Sequence, residues 1–253
     1  MPAPNLASLP RIGGLATMPS RMRSFSAVIE NILPQLDRLY VFFDKYDEVP
    51  SAFANREKIV ALSPSQFGAY RTCGKFLGME LFGAPCLYFC FDDDILYPPN
   101  YVEVLTRALY RHHFRAIVGL QASLYAPPHL SYRRDRMILH FGRANLFDHG
   151  VDELGTGTIG LCTANMTFHP RDWPYWDMAD LMLAIEAVKQ EVPKIAIRRP
   201  DGFLKPLEEN QEDSLYLRLL KDDTRQSAIM RSALDTYPLA WHRQSFDAGG
   251  APP

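Results

Sequence analysis

The chain of 253 residues is 47% hydrophobic and 22% charged, with a formal net charge of −2, the profile of a globular protein with a sizeable core. That balance gives no electrostatic case for nucleic acid as the main partner, and no apolar run approaches the ~20 residues of a membrane-spanning helix. The start, M-P-A-P-N-L-A-S-L-P-R, lacks the charged and apolar regions of a signal peptide. The four cysteines, Cys73, Cys86, Cys90 and Cys162, show no C-x-x-C spacing, which predicts reduced core thiols in a cytoplasmic protein.

In chain order, residues 12–17 (I-G-G-L-A-T) read as a short apolar strand ending in M-P-S-R. Ser20 is placed to cap the next helix, whose apolar positions Phe25, Val28, Ile29, Ile32 and Leu33 keep helical spacing up to Pro34. Residues 38–43 (R-L-Y-V-F-F) read as a strand buried on both faces and closed by Asp44, and 59–62 as a third strand. A helix is expected over 74–82, and then the run at 86–91 (C-L-Y-F-C-F), another two-sided strand, meets Asp92, Asp93 and Asp94. Asn100 is placed to cap a helix over 101–111, and 116–120 is a further strand. Strands alternating with helices at this pace predict right-handed βαβ units, hence a three-layer α/β/α sandwich with a mostly parallel central sheet.

After Gln121 the rhythm breaks. Residues 126–136 (A-P-P-H-L-S-Y-R-R-D-R) read as a mobile basic loop, with Arg133, Arg134 and Arg136 either solvated or set to meet a phosphate or an acidic acceptor. A tight G-T-G-T loop at 155–158 leads into a β-rich run to Phe168, followed by an amphipathic helix over 177–191 and a last strand over 194–197. C-terminal helices are expected at 215–220 and 227–234, and a frayed tail at 247–253. The chain shows no internal repeat and no clear linker, so it reads as one domain, with stretches over 12–121 and 122–204 on either side of the break in rhythm and C-terminal helices over 205–246.

Three consecutive carboxylates at a strand end repel one another and are costly to desolvate, so they call for a cation unless the turn is simply solvated. Oxygen ligands suit Mg²⁺ or Mn²⁺ that also holds phosphate oxygens. Thr17 and Arg21 after the first strand and Asp44 after the second fall on the same sheet edge, where open α/β sheets bind ligands. Asp44 can accept hydrogen bonds from a base or ribose, while Lys75 and Arg21 can neutralise phosphate. Neither G-x-G-x-x-G nor G-x-x-x-x-G-K-[ST] is present, which leaves a metal-bound nucleotide diphosphate as the expected ligand. In W-P-Y-W-D-M-A-D (173–180), Asp177 reads as a helix N-cap. Asp180 is left as a general base for an attacking hydroxyl. Trp173 and Trp176 read as flat surfaces for sugar stacking or as core.

Together A-T-M-P-S-R (16–21), D-R-L-Y-V-F-F-D (37–44), G-K-F (74–76), D-D-D-I-L-Y-P-P (92–99), L-G-T-G-T (154–158), M-A-D (178–180) and K-Q-E-V-P (189–193) resemble a GT-A-type inverting glycosyltransferase. The likeness is to the large family that includes the cellulose, chitin and hyaluronan synthases, in its soluble bacterial surface-polysaccharide form, and it covers residues 12–204. It implies a nucleotide-sugar donor, often UDP-linked, a divalent metal, and a glycan or lipid-linked acceptor met at most peripherally at the membrane. It implies that Asp92 meets the ribose and that Asp93 or Asp94 holds the metal. Gly155, Thr156, Gly157 and Thr158 would lie by the donor sugar and acceptor, and Asp180 would match the catalytic base. The chain departs from the pattern at Thr72, where relatives often carry an acid, and at Phe203, where they carry tryptophan. A sugar nucleotidyltransferase would usually show a glycine-rich basic loop where this chain has M-P-S-R; a non-catalytic glycan- or nucleotide-binding member is the other alternative.

Overall fold

The computed structural model describes residues 6–207 and 215–237, so the expected tail at 247–253 lies outside the described residues. The first half of the chain runs β1 (Arg11–Thr17), α1 (Met22–Ile32), β2 (Arg38–Phe43), α2 (Ser51–Ala54), β3 (Ile59–Leu62), α3 (Pro64–Phe67), α4 (Leu77–Phe82), β4 (Leu87–Phe91), β5 (Ile95–Leu96) and α5 (Tyr101–Arg111). It continues with β6 (Ile117–Gly119), β7 (Ala122–Tyr125), β8 (Arg136–Leu139), β9 (His149–Gly150), β10 (Glu153–Leu154), β11 (Thr158–Cys162), α6 (Ala179–Lys189), β12 (Lys194–Ala196), β13 (Lys205–Pro206), α7 (Leu215–Lys221) and α8 (Thr224–Thr236).

Eight strands form the central sheet in the order β3-β2-β1-β4-β11-β6-β12-β9. Strands β3, β2, β1 and β4 are mutually parallel, as are β6 and β12, whereas β11 runs antiparallel to both its neighbours and β9 antiparallel to β12. The sheet is therefore mostly parallel, with helices on both faces.

The unbroken apolar runs of β2 and β4 are explained by those two faces. Alternate side chains of a strand point to opposite sides. Tyr40, Phe42, Tyr88 and Cys90 join one buried cluster, with Phe76 and with Leu181 of α6. Leu39, Val41, Phe43, Phe89 and Phe91 join the other, with Phe25 of α1 and Leu105 of α5. All four cysteines are buried and free. Among the described residues no helix is long and apolar enough to cross a membrane.

Several local expectations are corrected. Ser20 falls in a 3-10 turn (Pro19–Arg21), and α1 begins behind Arg21 with no side-chain cap. Asn100 stands at the N-cap of α5 but its side chain makes no capping bond. The helix expected over 74–82 is a 3-10 segment (Arg71–Phe76) running into α4. Asp177 does not cap α6, whose N-cap is Met178; it pairs instead with Arg225 of α8 at 2.6 Å.

The expected mobile loop at 126–136 is tied down. Asp135 accepts the backbone N–H groups of Leu130 and Ser131, while Ser131 Oγ donates to Asp223 at 2.6 Å and Tyr132 N–H to Ser227 at 2.9 Å. Ser131 and Tyr132 are buried, and the segment leads straight into β8, which pairs with β7. A basic composition hid a turn anchored by Asp223 and Ser227 at the start of α8.

Candidate functional site

The carboxyl ends of parallel β2, β1 and β4 open on one cavity of about 750 Å³. Its walls include Thr17 at the end of β1, Asp44 just after β2 and Asp92, Asp93 and Asp94 just after β4. The antiparallel pairing of β11 with β4 sets Thr158 opposite Phe91, which brings the 155–157 turn against Asp92. The three-stranded sheet β10-β7-β8 carries Ser123, Arg136 and Glu153 to the same cavity, and α7 and α8 close it with Arg218 and Arg225.

The acids after β4 have different neighbours. Asp92 pairs with Lys75, whose side chain is 3% exposed. Burial alone would lower the Lys75 ammonium, but the Asp92 charge outweighs it and holds the ammonium above its ordinary value. Asp94 faces buried Arg21 at 3.6 Å. Burial pushes the Asp93 carboxyl up to about 7, against the nearby Thr17 hydroxyl and aided by the charges of Asp94 and Asp92. Asp94 is raised to about 6, again first by burial and then by Asp92. Asp44 is raised by burial, with Lys45 and Arg71 opposing.

Gly157 makes this crowding feasible. A Cβ there would lie 1.9 Å from Asp92 Oδ2, so only glycine leaves room for the carboxylate. The Asp92 N–H donates to Tyr97 Oη at 2.8 Å, and Tyr97 O–H donates to the Gly157 carbonyl at 2.5 Å, locking the turn to the end of β4.

On the opposite wall, Asp180 in the first turn of α6 accepts the Thr156 N–H at 2.8 Å and the Thr156 hydroxyl at 2.6 Å, both on Oδ1. Among the described residues Oδ2 accepts no hydrogen bond. Burial raises the Asp180 carboxyl, opposed by those two bonds. Beneath it, buried Glu153 accepts from Tyr125 and Tyr132 at 2.8 Å and from Arg136 at 3.0 Å.

Thr17, Arg21, Asp44, Lys75, Asp92, Asp93, Asp94, Gly155, Thr156 and Asp180 thus share one cavity, as the sequence patterns suggested. Gly157 and Thr158 stand behind it, Thr158 with its hydroxyl accepting the Gln121 N–H at 2.9 Å. Trp173 and Trp176 do not line it. Trp173 stacks on Phe168 and meets Phe76 edge-on, beside a separate cavity of about 330 Å³. Trp176 packs on Tyr70 and donates its indole N–H to the Pro170 carbonyl at 3.1 Å. Of their two readings as sugar platform or core, the structure places both in packing.

Sequence reasoning missed Arg71, Ser123, Glu153, Arg218 and Arg225. Glu153 had one signal, an acid two residues ahead of G-T-G-T; the others reach the cavity only through tertiary pairing.

The donor set suits a hard divalent cation: Asp93 and Asp94 offer carboxylates, and the buried Thr17 hydroxyl makes no hydrogen bond of normal geometry among the described residues. Among those residues no three acidic, histidine or cysteine side chains converge in a ready-made cage, but Mg²⁺-type sites need only one or two carboxylates with substrate phosphates. Compared with known proteins, the chain matches no family model and no curated sequence.

Proposed function

We propose that the protein is an inverting GT-A-type glycosyltransferase moving a sugar from a nucleotide diphosphate, most simply a UDP-sugar, to a hydroxyl of a glycan or lipid-linked acceptor, as in bacterial surface-polysaccharide synthesis. One observation carries this reading: a single cavity sets adjacent carboxylates backed by buried Arg21 and Lys75 together with the Asp180 carboxylate, whose Oδ2 accepts no hydrogen bond among the described residues.

In this reading Asp44 and Asp92 receive the nucleoside, while Lys75 and Arg21 add positive charge beside the diphosphate. Asp93 and Asp94 would hold Mn²⁺ or Mg²⁺, which when bound supplies charge to steady the departing diphosphate. Thr156 fixes the Asp180 carboxylate, and Oδ2 takes the proton from the acceptor hydroxyl. The acceptor oxygen forms its bond to the anomeric carbon from the face opposite the diphosphate. The bond to the diphosphate oxygen breaks with its electron pair, and the anomeric configuration inverts. Burial of Asp180 strengthens it as a base relative to an ordinary carboxylate.

The test is incubation with Mn²⁺ and a panel of nucleotide sugars, with and without simple sugar acceptors. Release of a nucleoside diphosphate is expected. Pyrophosphate production would assign the site to nucleotidyl transfer, and absence of any turnover to ligand binding alone.

A further inference from the structure

Outside the cavity, the three most exposed large apolar side chains of the described residues gather at one place. Leu146, Phe147 and Tyr110 are 75%, 68% and 66% exposed. They flank a single ion pair: Arg111, next to Tyr110, meets Asp148, next to Phe147, at 2.9 Å, and His112 lies 3.2 Å from the same carboxylate. Scattered apolar residues are ordinary on a protein surface, whereas a cluster of them marks a contact.

The loop that carries Leu146 and Phe147 is braced. Buried Asn145 donates its amide to the carbonyls of Phe147, Ala196 and Ile197, and its backbone exchanges hydrogen bonds with Arg199 at 2.8 and 3.0 Å. Asp148 accepts the Arg198 N–H at 2.8 Å, and the buried Arg199 guanidinium donates to the His140 carbonyl at 2.7 Å. The same loop starts at the cavity wall, where the Phe141 N–H donates to Gln121 Oε1 at 2.8 Å. Strand β12 runs parallel to β4, because β11 is antiparallel to both β4 and β6 while β6 is parallel to β12. Arg198 therefore leaves the sheet at the edge where the cavity opens.

The surroundings are positive. Residues 111–115, 140–149 and 198–201 carry five arginines (Arg111, Arg115, Arg143, Arg198, Arg199) against two aspartates (Asp148, Asp201), in a chain whose net charge is −2. Arg115, Arg143 and Arg198 are exposed. Leucine and phenylalanine beside tyrosine and arginine suit a lipid–water boundary. The first two enter the acyl edge, tyrosine stays at headgroup level, and arginine meets anionic headgroups. A second copy of the chain docked symmetrically on this patch would instead set the arginines against themselves.

We propose that this patch, Leu146 and Phe147 with Tyr110, Arg143 and Arg198 around them, docks the protein on a bilayer containing anionic lipid. The docking surface stands independently of the glycosyl-transfer reading. Only its consequence rests on that reading: a lipid-linked acceptor would meet the cavity from the membrane to which the loop holds the chain.

Flotation of the full chain with vesicles of phosphatidylcholine alone, or of phosphatidylcholine and phosphatidylglycerol in equal parts, tests the patch. Binding to the mixed vesicles should be on the order of 10-fold tighter than to the neutral ones and should fall as salt is raised. Leu146→Ser/Phe147→Ser and Arg143→Gln/Arg198→Gln should each weaken it by on the order of 10-fold. Leu130→Ser/Met137→Ser, at exposed apolar positions elsewhere, should leave it unchanged; circular dichroism confirms folding. No binding to either vesicle, equal binding to both, undiminished binding by either patch variant, or an equal loss in Leu130→Ser/Met137→Ser would each overturn the docking surface. Self-association in sedimentation velocity that Leu146→Ser/Phe147→Ser abolishes, without vesicle binding, would overturn it in favour of a second copy. Absence of glycosyl transfer with vesicle binding intact would instead remove the catalytic reading and leave the surface standing.

Discussion

Gly157→Ala is the substitution whose consequence the geometry specifies most sharply. The new Cβ would lie 1.9 Å from Asp92 Oδ2 and 2.1 Å from Asp92 Cγ, so the carboxylate must swing away or the turn must move. The turn is held by the Tyr97 hydroxyl, which donates to the Gly157 carbonyl and accepts the Asp92 N–H. Crowding of this kind costs about 1–3 kcal/mol. Displacing Asp92 also weakens its bond to Lys75, a contribution discounted to about 1 kcal/mol because the Asp92 side chain is 41% exposed. The expected loss is about 2–4 kcal/mol, a fall of roughly 5–15 °C in melting temperature for a chain of this size. Circular dichroism melts of Gly157→Ala, Asp92→Ala and the double variant check the cause. Removing the carboxylate relieves the clash, so the two changes should couple by at least ~1 kcal/mol. Additivity within ~0.5 kcal/mol, or a single variant as stable as the parent, would refute the close approach as the reason for glycine.

Asp180→Asn should lower transfer by about 10²–10⁴ while leaving UDP and Mn²⁺ affinity within about twofold, as single-turnover rates and calorimetry would report. Asp93, raised to about 7, keeps its proton in the fold at pH values where the unfolded chain has lost it. Its contribution to stability is therefore present below the ordinary carboxylate range and lost as pH rises through about 7; without metal the melting temperature should fall over that window, and Asp93→Asn should flatten the slope. Because the cation must displace that proton and, below about 6, the one on Asp94 as well, apparent Mn²⁺ affinity should rise about tenfold per pH unit between about 6 and 7, more steeply below that range, and level off above it. Glu153→Ala strands the buried Arg136 guanidinium and should cost about 3–5 kcal/mol in chemical denaturation, whereas Glu153→Leu combined with Arg136→Met should cost far less.

Strands were the most legible part of the chain. Runs such as L-Y-F-C-F and L-Y-V-F-F have no polar face, and a strand covered on both sides by helices is where such a run is stable. The part of the site at the strand ends followed from them, because parallel strands present their carboxyl ends together and Thr17, Asp44 and the three acids each sit at such an end. Helix starts were less legible. Ser20, Asn100 and Asp177 are residue types that cap well, yet none does so here. The wall built from the three-stranded sheet and α8 was least legible. Arg136 and Tyr132 look like loop residues until β8 pairs with β7 and α8 supplies Asp223 and Ser227 as partners. Trp173 and Trp176 show the converse: aromatic residues beside an acidic helix start suggest a sugar platform, but Phe168, Phe76 and Tyr70 cover them from within the fold.

The claim at the centre of this account is that Asp93 and Asp94 hold a divalent cation together with the diphosphate of an activated sugar. Electron paramagnetic resonance of Mn²⁺ titrated into the protein with UDP present tests it directly. The account predicts one tightly held Mn²⁺ per chain that is lost in Asp93→Asn/Asp94→Asn while the fold persists. Equal Mn²⁺ retention by that variant, or no UDP-dependent binding by the parent protein, would contradict it.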